Sequence, residues 1–454
     1  MRRVTTALIS ALTLVVLAPA ASANEYTDVI DAFDFEYGDP FDLNLRVGYE
    51  RLYKQGKIRR EDYDGVPHEW DYYAYRSVAE YKQISHILNL DLDIGLYRDL
   101  ALKVRVPVIL NDSRELTATD SFLSNGGWDG GRELFSLPFK SPERSGLDYI
   151  AVGLWWGILD QGRDDTKPNW TVYAEGRFAV GDQLEAACAS RGGSDCRDID
   201  YPTEGPNGEA YTGPLAGQPY NTKGGISRGV NELAFGIRMS RRYDWIDPYY
   251  GFGALIGWPK EGTAFKITDN AAGQINDMPP VVGNMDFGLE FIPWEVPEMH
   301  RKLSIGLGGT AKYHSEGREY TPLFDALGTS EYFLAARDFV DYNGNGQKDA
   351  GEGDAVPYWS GMTDVENYAS FSGRLFVMVQ PAKYVKIKLG TMLGHETEHF
   401  ITKTDQCPAD QLGADGTCVI YNYGHRPELD RPGNRFRVER TFMWSFFADL
   451  VAQF

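Results

Sequence analysis

The chain has 454 residues, with 65 acidic and 45 basic side chains and a net charge of −20. That balance excludes a nucleic-acid binder, which needs a basic footprint. Aromatic residues make up 13% of the chain, beside 49 glycines, which is too rich for intrinsic disorder. After residue 23 no apolar run approaches the ~20 residues of a spanning helix, so an ordinary helical membrane protein is excluded and one built from strands is not.

The first 23 residues read as an export signal. Met1-Arg2-Arg3 is a basic start, Ala7 to Leu17 is a short apolar stretch, and Ala21-Ser22-Ala23 fits a small-residue cleavage site. The mature chain is expected to begin at Asn24. Residues 24–40 form an acidic segment, expected in the periplasm or in the periplasmic mouth, and residues 41–454 form the main domain. Export favours disulfides, and the four cysteines fall into two close pairs, Cys188/Cys196 and Cys407/Cys418. Neither pair has metal-ligand spacing with histidines nearby. Both pairs would staple polar loops.

From residue 41 onward the dominant pattern has a period of two. Phe41, Leu43, Leu45, Val47 and Tyr49 alternate with Asp42, Asn44, Arg46, Gly48 and Glu50. Leu88 to Leu96 and Leu100 to Val108 repeat it, as do Leu233 to Met239, Leu303 to Leu307 and Val385 to Leu389. In the last segment Phe442, Trp444, Phe446, Ala448, Leu450, Ala452 and Phe454 share one parity. Successive strand side chains point to opposite faces, so each segment presents one apolar face and one mixed face. Short turns near 97–99, 161–169, 241–247, 294–302 and 380–383 alternate with long polar stretches at 54–68, 112–145, 182–226, 260–282, 316–365 and 402–432. Tyrosine and tryptophan gather near strand ends, among them Trp70, Tyr72, Tyr73, Trp155, Trp156, Trp245, Tyr249, Trp258 and Trp294.

A terminal aromatic on an amphipathic strand resembles the C-terminal signature of bacterial outer-membrane β-barrel proteins, a porin-like class. The resemblance covers most of the chain after residue 40. It implies an all-β fold: a single antiparallel transmembrane barrel of about twelve strands, with short periplasmic turns and long extracellular loops. Fourteen strands would follow if 67–80 or 115–140 added a hairpin. It also implies outer-membrane lipid as surroundings and Phe454 as a signal to the barrel-insertion machinery. A soluble β-sandwich would alternate too, but would not need an apolar face on nearly every strand.

The other parity defines the expected lumen. Asp91, Asp93, Lys103, Arg105, Arg374, Lys386 and Lys388 face inward on this reading. Asp91 and Asp93 are expected to pair with Lys103 and Arg105 across a tight turn. Two uses remain open. The charges line a wet pore for small hydrophilic solutes, or they pair and fill the interior, leaving a sealed barrel whose ordered loops bind a surface or envelope partner.

Three local motifs carry further chemistry. Asp341, Asn343, Asn345, Gln347, Asp349 and Glu352 match the spacing of an EF-hand-type calcium loop, with Gly346 at the sharp turn. No helix pattern follows, so a structural Ca²⁺ in an external loop is the expectation. His395-Glu396-Thr397-Glu398-His399 satisfies the string of a zinc protease, but lies on strand pattern, where the two histidines fall roughly 13 Å apart at about 3.3 Å per residue. His314-Ser315 and Ser85-His86 are the candidates for a lipid hydrolase, the least favoured of the three function classes. No catalytic residue is assigned.

Overall fold

The structure is a computed structural model. It describes residues 24–454 except 31, 35–38, 63–73, 129–132, 205–207, 209, 211–214, 267–272, 335–358, 415, 417 and 423. The proposed export signal and the calcium-loop residues Asp341, Asn343, Asn345, Gln347, Asp349 and Glu352 lie outside the described residues, as do Trp70, Tyr72 and Tyr73.

Twelve antiparallel strands form the wall: β1 Leu43–Asp62, β2 Ala74–Tyr97, β3 Leu100–Ala118, β4 Tyr149–Leu159, β5 Asn169–Ala179, β6 Val230–Ser240, β7 Ile246–Pro259, β8 Val282–Val296, β9 Arg301–His314, β10 Tyr368–Ala382, β11 Val385–Glu396 and β12 Phe436–Gln453. Each pairs with its chain neighbours, and β12 pairs back onto β1 from Gln453↔Asn44 to Phe436↔Arg60. That last ladder closes the sheet and leaves no edge, the condition for backbone in hydrocarbon. Among the described residues no helix is long and apolar enough to cross a membrane.

The apolar parity faces outward. Leu45, Val47, Leu154, Phe235, Phe287, Leu307, Leu375, Leu389 and Leu450 are exposed on the exterior. Tyr97, Trp156, Trp245, Trp294 and Tyr384 are exposed at the end that carries the short turns, as an interface girdle requires. Two expected girdle residues do not belong to it. Trp155 is 3% exposed and stacks on Tyr173, and Tyr249 is also buried inside the barrel. Adjacent strand positions alternate faces, so Trp156 took the lipid side and Trp155 the lumen.

Strand length corrects the loop assignments. A membrane strand needs about 9–11 residues, and β4, β5 and β6 have 11 each. By contrast, β1, β2, β3 and β12 have 20, 24, 19 and 18. Residues 54–62 and 112–118, expected as loop, are therefore strand, and among the described residues no extra hairpin raises the count to fourteen. Above the bilayer the outer face meets water, so apolar-out alternation vanishes although the strand continues. A bulge at Arg440, whose φ is +51°, shifts the β12 register between Glu439 and Phe442 and turns Phe436 and Val438 inward.

The largest buried apolar cluster lies at this outer end, not in the membrane. Ile58, Val78, Leu116 and Phe436 of the tall wall pack with Phe135, Phe139, Leu323, Leu327 and Ile401 of the loops. The disulfide Cys188–Cys196 lies within that cluster, and Cys407–Cys418 closes a second loop. The short helix Phe324–Gly328 is anchored by a buried ion pair: Arg144 reaches Asp325 at 2.7 Å, with side chains 0% and 5% exposed.

Candidate functional site

The lumen is lined as the parity requires. Asp91 pairs with Arg105 at 3.3 Å and Asp93 with Lys103 at 3.2 Å, across the tight β2–β3 turn. Lys302 pairs with Glu290, and Arg177 bridges Glu175 and Glu232. Arg374 and Lys312 also point inward. Both are exposed, and neither forms an ion pair among the described residues. Inward side chains that meet solvent mean that water-accessible space lies inside this part of the barrel.

Below it the bore is crossed. Residues 24–30 do not hang in the periplasm; they enter the barrel. Asn24 folds the segment into a turn, its carbonyl accepting from the amides of Thr27 and Asp28 and its side chain accepting from the Tyr26 amide. Asn24 and Thr27 are 2% and 3% exposed. Glu25 reaches one wall, pairing with Arg46 of β1 at 3.2 Å and Lys388 of β11 at 2.9 Å. Tyr26 reaches the opposite wall. Its hydroxyl donates to Asp286 of β8 at 3.2 Å, its ring lies 4.8 Å from Tyr249 of β7, and Arg238 of β6 sits 4.6 Å over its face. Arg238 also donates to the Tyr26 carbonyl, Thr27 shares a 2.7 Å hydrogen bond with Ser240, and Thr171 donates to the Thr27 carbonyl. Gly251 makes room for the ring, because a Cβ there would overlap the Tyr26 hydroxyl. In a twelve-stranded ring β1 and β7 are diametrically opposed. The segment is thus a crossbar over the whole bore.

The expected lumen residues divide accordingly. Arg46, Lys386 and Lys388 meet the crossbar or the small cavity beside it, Asp91 and Asp93 line that cavity too, and Arg374 faces the water-accessible space. Tyr26, Thr27, Thr171 and Ser240 were not singled out by sequence, and Tyr249 was expected in the girdle instead. An acidic segment just ahead of strands that carry inward cations is the signal that could have found the contact.

The remaining motifs separate. His395 donates to the Thr441 carbonyl, whereas His399 stacks on Tyr368 at 4.0 Å, so the two do not converge. His86 meets the Tyr49 hydroxyl on the outer face, while Ser85 bonds Asp112 inside. Ser315 hydrogen-bonds the Val281 amide and the Glu316 carbonyl, and His314 lies 3.4 Å from Ser370 instead. Among the described residues no group of three or more His, Cys, Asp or Glu is placed to hold a metal.

The outer loops hold one strongly perturbed carboxyl. Asp430 is buried and accepts from the amides of Thr404 and Arg426, and burial pushes it up to about 8. A raised folded-state value favours the protonated form. Its stabilising contribution is complete below the ordinary carboxylate range near 4 and is lost as pH rises through about 8. Loop stability in urea, followed by tryptophan fluorescence, is expected to fall by about 1 kcal/mol per pH unit between pH 6 and 8. Asp430→Asn should flatten that slope; an unchanged slope would count against the assignment.

Closure, exterior and girdle together define the class: the chain is a β-barrel protein of the bacterial outer membrane. No protein-family model and no curated protein matches it. Among solved structures it is similar to an outer-membrane channel from Pseudomonas putida F1, at 9% identity and TM-score 0.36, covering 96% of this chain and 100% of that one. A FadL homologue from Pseudomonas aeruginosa matches at 11% identity and TM-score 0.35, covering 91% and 90%. The β domain of the Bordetella autotransporter BrkA matches at 9% and 0.33, covering 90% and 100%. The fold assignment rests on the strand pairing itself.

Proposed function

We propose that the protein is an outer-membrane channel for small hydrophilic solutes, held closed by residues 24–30. The observation that carries this reading is the chemistry of the obstruction. The bore is barred by ion pairs and hydrogen bonds to one short segment, beside inward cations that meet solvent. Such contacts, each worth roughly 1–3 kcal/mol, can be exchanged for water or solute, unlike a packed apolar plug. Single-channel recording of the purified protein in a planar bilayer tests it. The expected trace is a closed baseline with discrete ohmic openings, and Glu25→Gln should raise the open fraction. A correctly folded barrel that stays silent, with and without that substitution, would overturn it.

The second reading is a sealed barrel displaying rigid loops to a surface or envelope partner. The apolar cluster over the outer end favours it. The calcium loop belongs to either reading. If Asp341 to Glu352 wraps Ca²⁺, chelation should speed tryptic cleavage at Lys348 by about tenfold. Equal rates with calcium and with chelator would dismiss the ion.

A further inference from the structure

The crossbar carries information about what passes it. Glu25 is the one crossbar side chain that binds by charge to two wall cations at once. Its two oxygens are divided, Oε1 to Arg46 and Oε2 to Lys388. Those two residues come from strands that flank β12, so a carboxylate between them spans three strands of wall. Lys388 is further fixed by the Phe376 ring, 4.3 Å from its ammonium. Lys386 lies on the same face of β11 and lines, with Asp28, Lys103 and Arg46, a cavity of about 30 Å³ next to Glu25. That is room for one or two waters.

The approach to this point is cationic as well. Lys312 and Arg374 face the water-accessible space above the crossbar, and both are exposed there. Lysine and arginine fixed on rigid strands, with their partner supplied by a removable segment, make a preorganised anion site. When the segment withdraws, Arg46 retains Asp91 at 3.7 Å, whereas Lys388, whose one ion pair among the described residues is with Glu25, keeps the Phe376 ring and the longer-range attraction of Asp449 opposite it on β12. The vacated position then favours another carboxylate.

We infer that Glu25 is an internal stand-in for the solute: the site formed by Arg46, Lys388 and Lys386 binds small carboxylates, which compete with Glu25 and so favour the open state. This rests on the channel reading for its consequence, but the binding itself does not. A ligand favours one state only by its differential affinity, and here the differential is built in, because closed and bound states use the same two cations.

Equilibrium dialysis of the full-length protein in detergent, with glutarate as probe, tests the site without requiring conduction. Replacing residues 24–30 by a Gly/Ser segment of equal length removes the competitor and should tighten glutarate binding at least about tenfold. Lys388→Gln in that background should weaken it by about tenfold. Putrescine, a cation of similar length, should not bind. Equal glutarate binding with and without residues 24–30, or no effect of Lys388→Gln, would overturn the inference. Equal binding of glycerol phosphate and glutarate would overturn the preference for carboxylates. Charge reversal of Lys386 and Lys388 to glutamate should move the reversal potential of the opened channel toward cations; an unmoved potential would count against the site. Glutarate binding without any conduction would sink the channel reading and leave the site standing. Conduction that prefers cations, without glutarate binding, would do the reverse.

Discussion

Replacing residues 24–30 by a flexible segment of equal length should convert a mostly closed protein into a steadily conducting one. The substitution removes both ion pairs of Glu25, the Tyr26 contacts with Asp286, Tyr249 and Arg238, and the Thr27 bonds to Ser240 and Thr171. Three or more such contacts, at roughly 1 kcal/mol each after exchange with water, hold the closed state. Each 1.4 kcal/mol is about tenfold in population, so the open fraction should rise by about a hundredfold. The barrel itself should survive, because its closing ladder and its exterior do not involve the segment. Planar-bilayer recordings read the effect, and heat-modifiable gel mobility checks the fold. Single replacements should rank with their contacts: Tyr26→Ala, which loses a ring, a hydroxyl bond and an arginine contact, should open more than Thr27→Ala.

The second large effect lies in the outer loops. Asp325→Ala should destabilise the loop cluster by about 3–5 kcal/mol, since it leaves Arg144 buried without its anion. The same carboxylate accepts from the Ala187 amide, so the segment that leads to Cys188 loosens with it. The double change Arg144→Met with Asp325→Leu should recover most of the loss, because a neutral pair of similar volume asks for no ion partner. Urea unfolding followed by tryptophan fluorescence reports the loops, while far-ultraviolet circular dichroism reports the barrel. The loop transition should move and the barrel transition should not. A shift below about 1 kcal/mol for Asp325→Ala would mean that the pair is not what anchors the helix Phe324–Gly328.

The membrane-embedded wall was legible because lipid enforces one rule on every strand. Leu45, Val47, Leu375, Leu389 and Leu450 had to point outward, and their neighbours therefore pointed in. The pairing of Asp91 with Arg105 and Asp93 with Lys103 followed, since a tight turn fixes register. Above the bilayer the rule lapses. Lys54 to Asp62 and Asp112 to Ala118 carry polar residues on both faces, and only their length in the structure reveals them as strand. The bulge at Arg440 exchanged inside for outside in the same region. The crossbar was legible only as charge. Nothing in the order Asn24-Glu25-Tyr26-Thr27 fixes which wall each side chain meets, because the contacts of Tyr26 with Asp286 and of Thr27 with Ser240 join residues more than two hundred positions apart. Trp155 and Trp156 show the same limit at a smaller scale: composition placed both near a strand end, and only the face distinguishes them.

If residues 24–30 move out of the bore when the channel opens, a reversible lock on that segment should hold the channel shut. Thr27 and Ser240 are hydroxyl neighbours at 2.7 Å across the boundary between crossbar and wall, so Thr27→Cys with Ser240→Cys places two thiols within reach of a disulfide. Both lie apart from the Glu25 site, which is left intact. Recorded in a planar bilayer, the oxidised double variant should stay closed, and dithiothreitol added to the same membrane should bring back discrete openings. Openings of equal frequency and size before and after reduction, with the disulfide confirmed by mass spectrometry, would contradict the claim and show that solute passes without moving the crossbar.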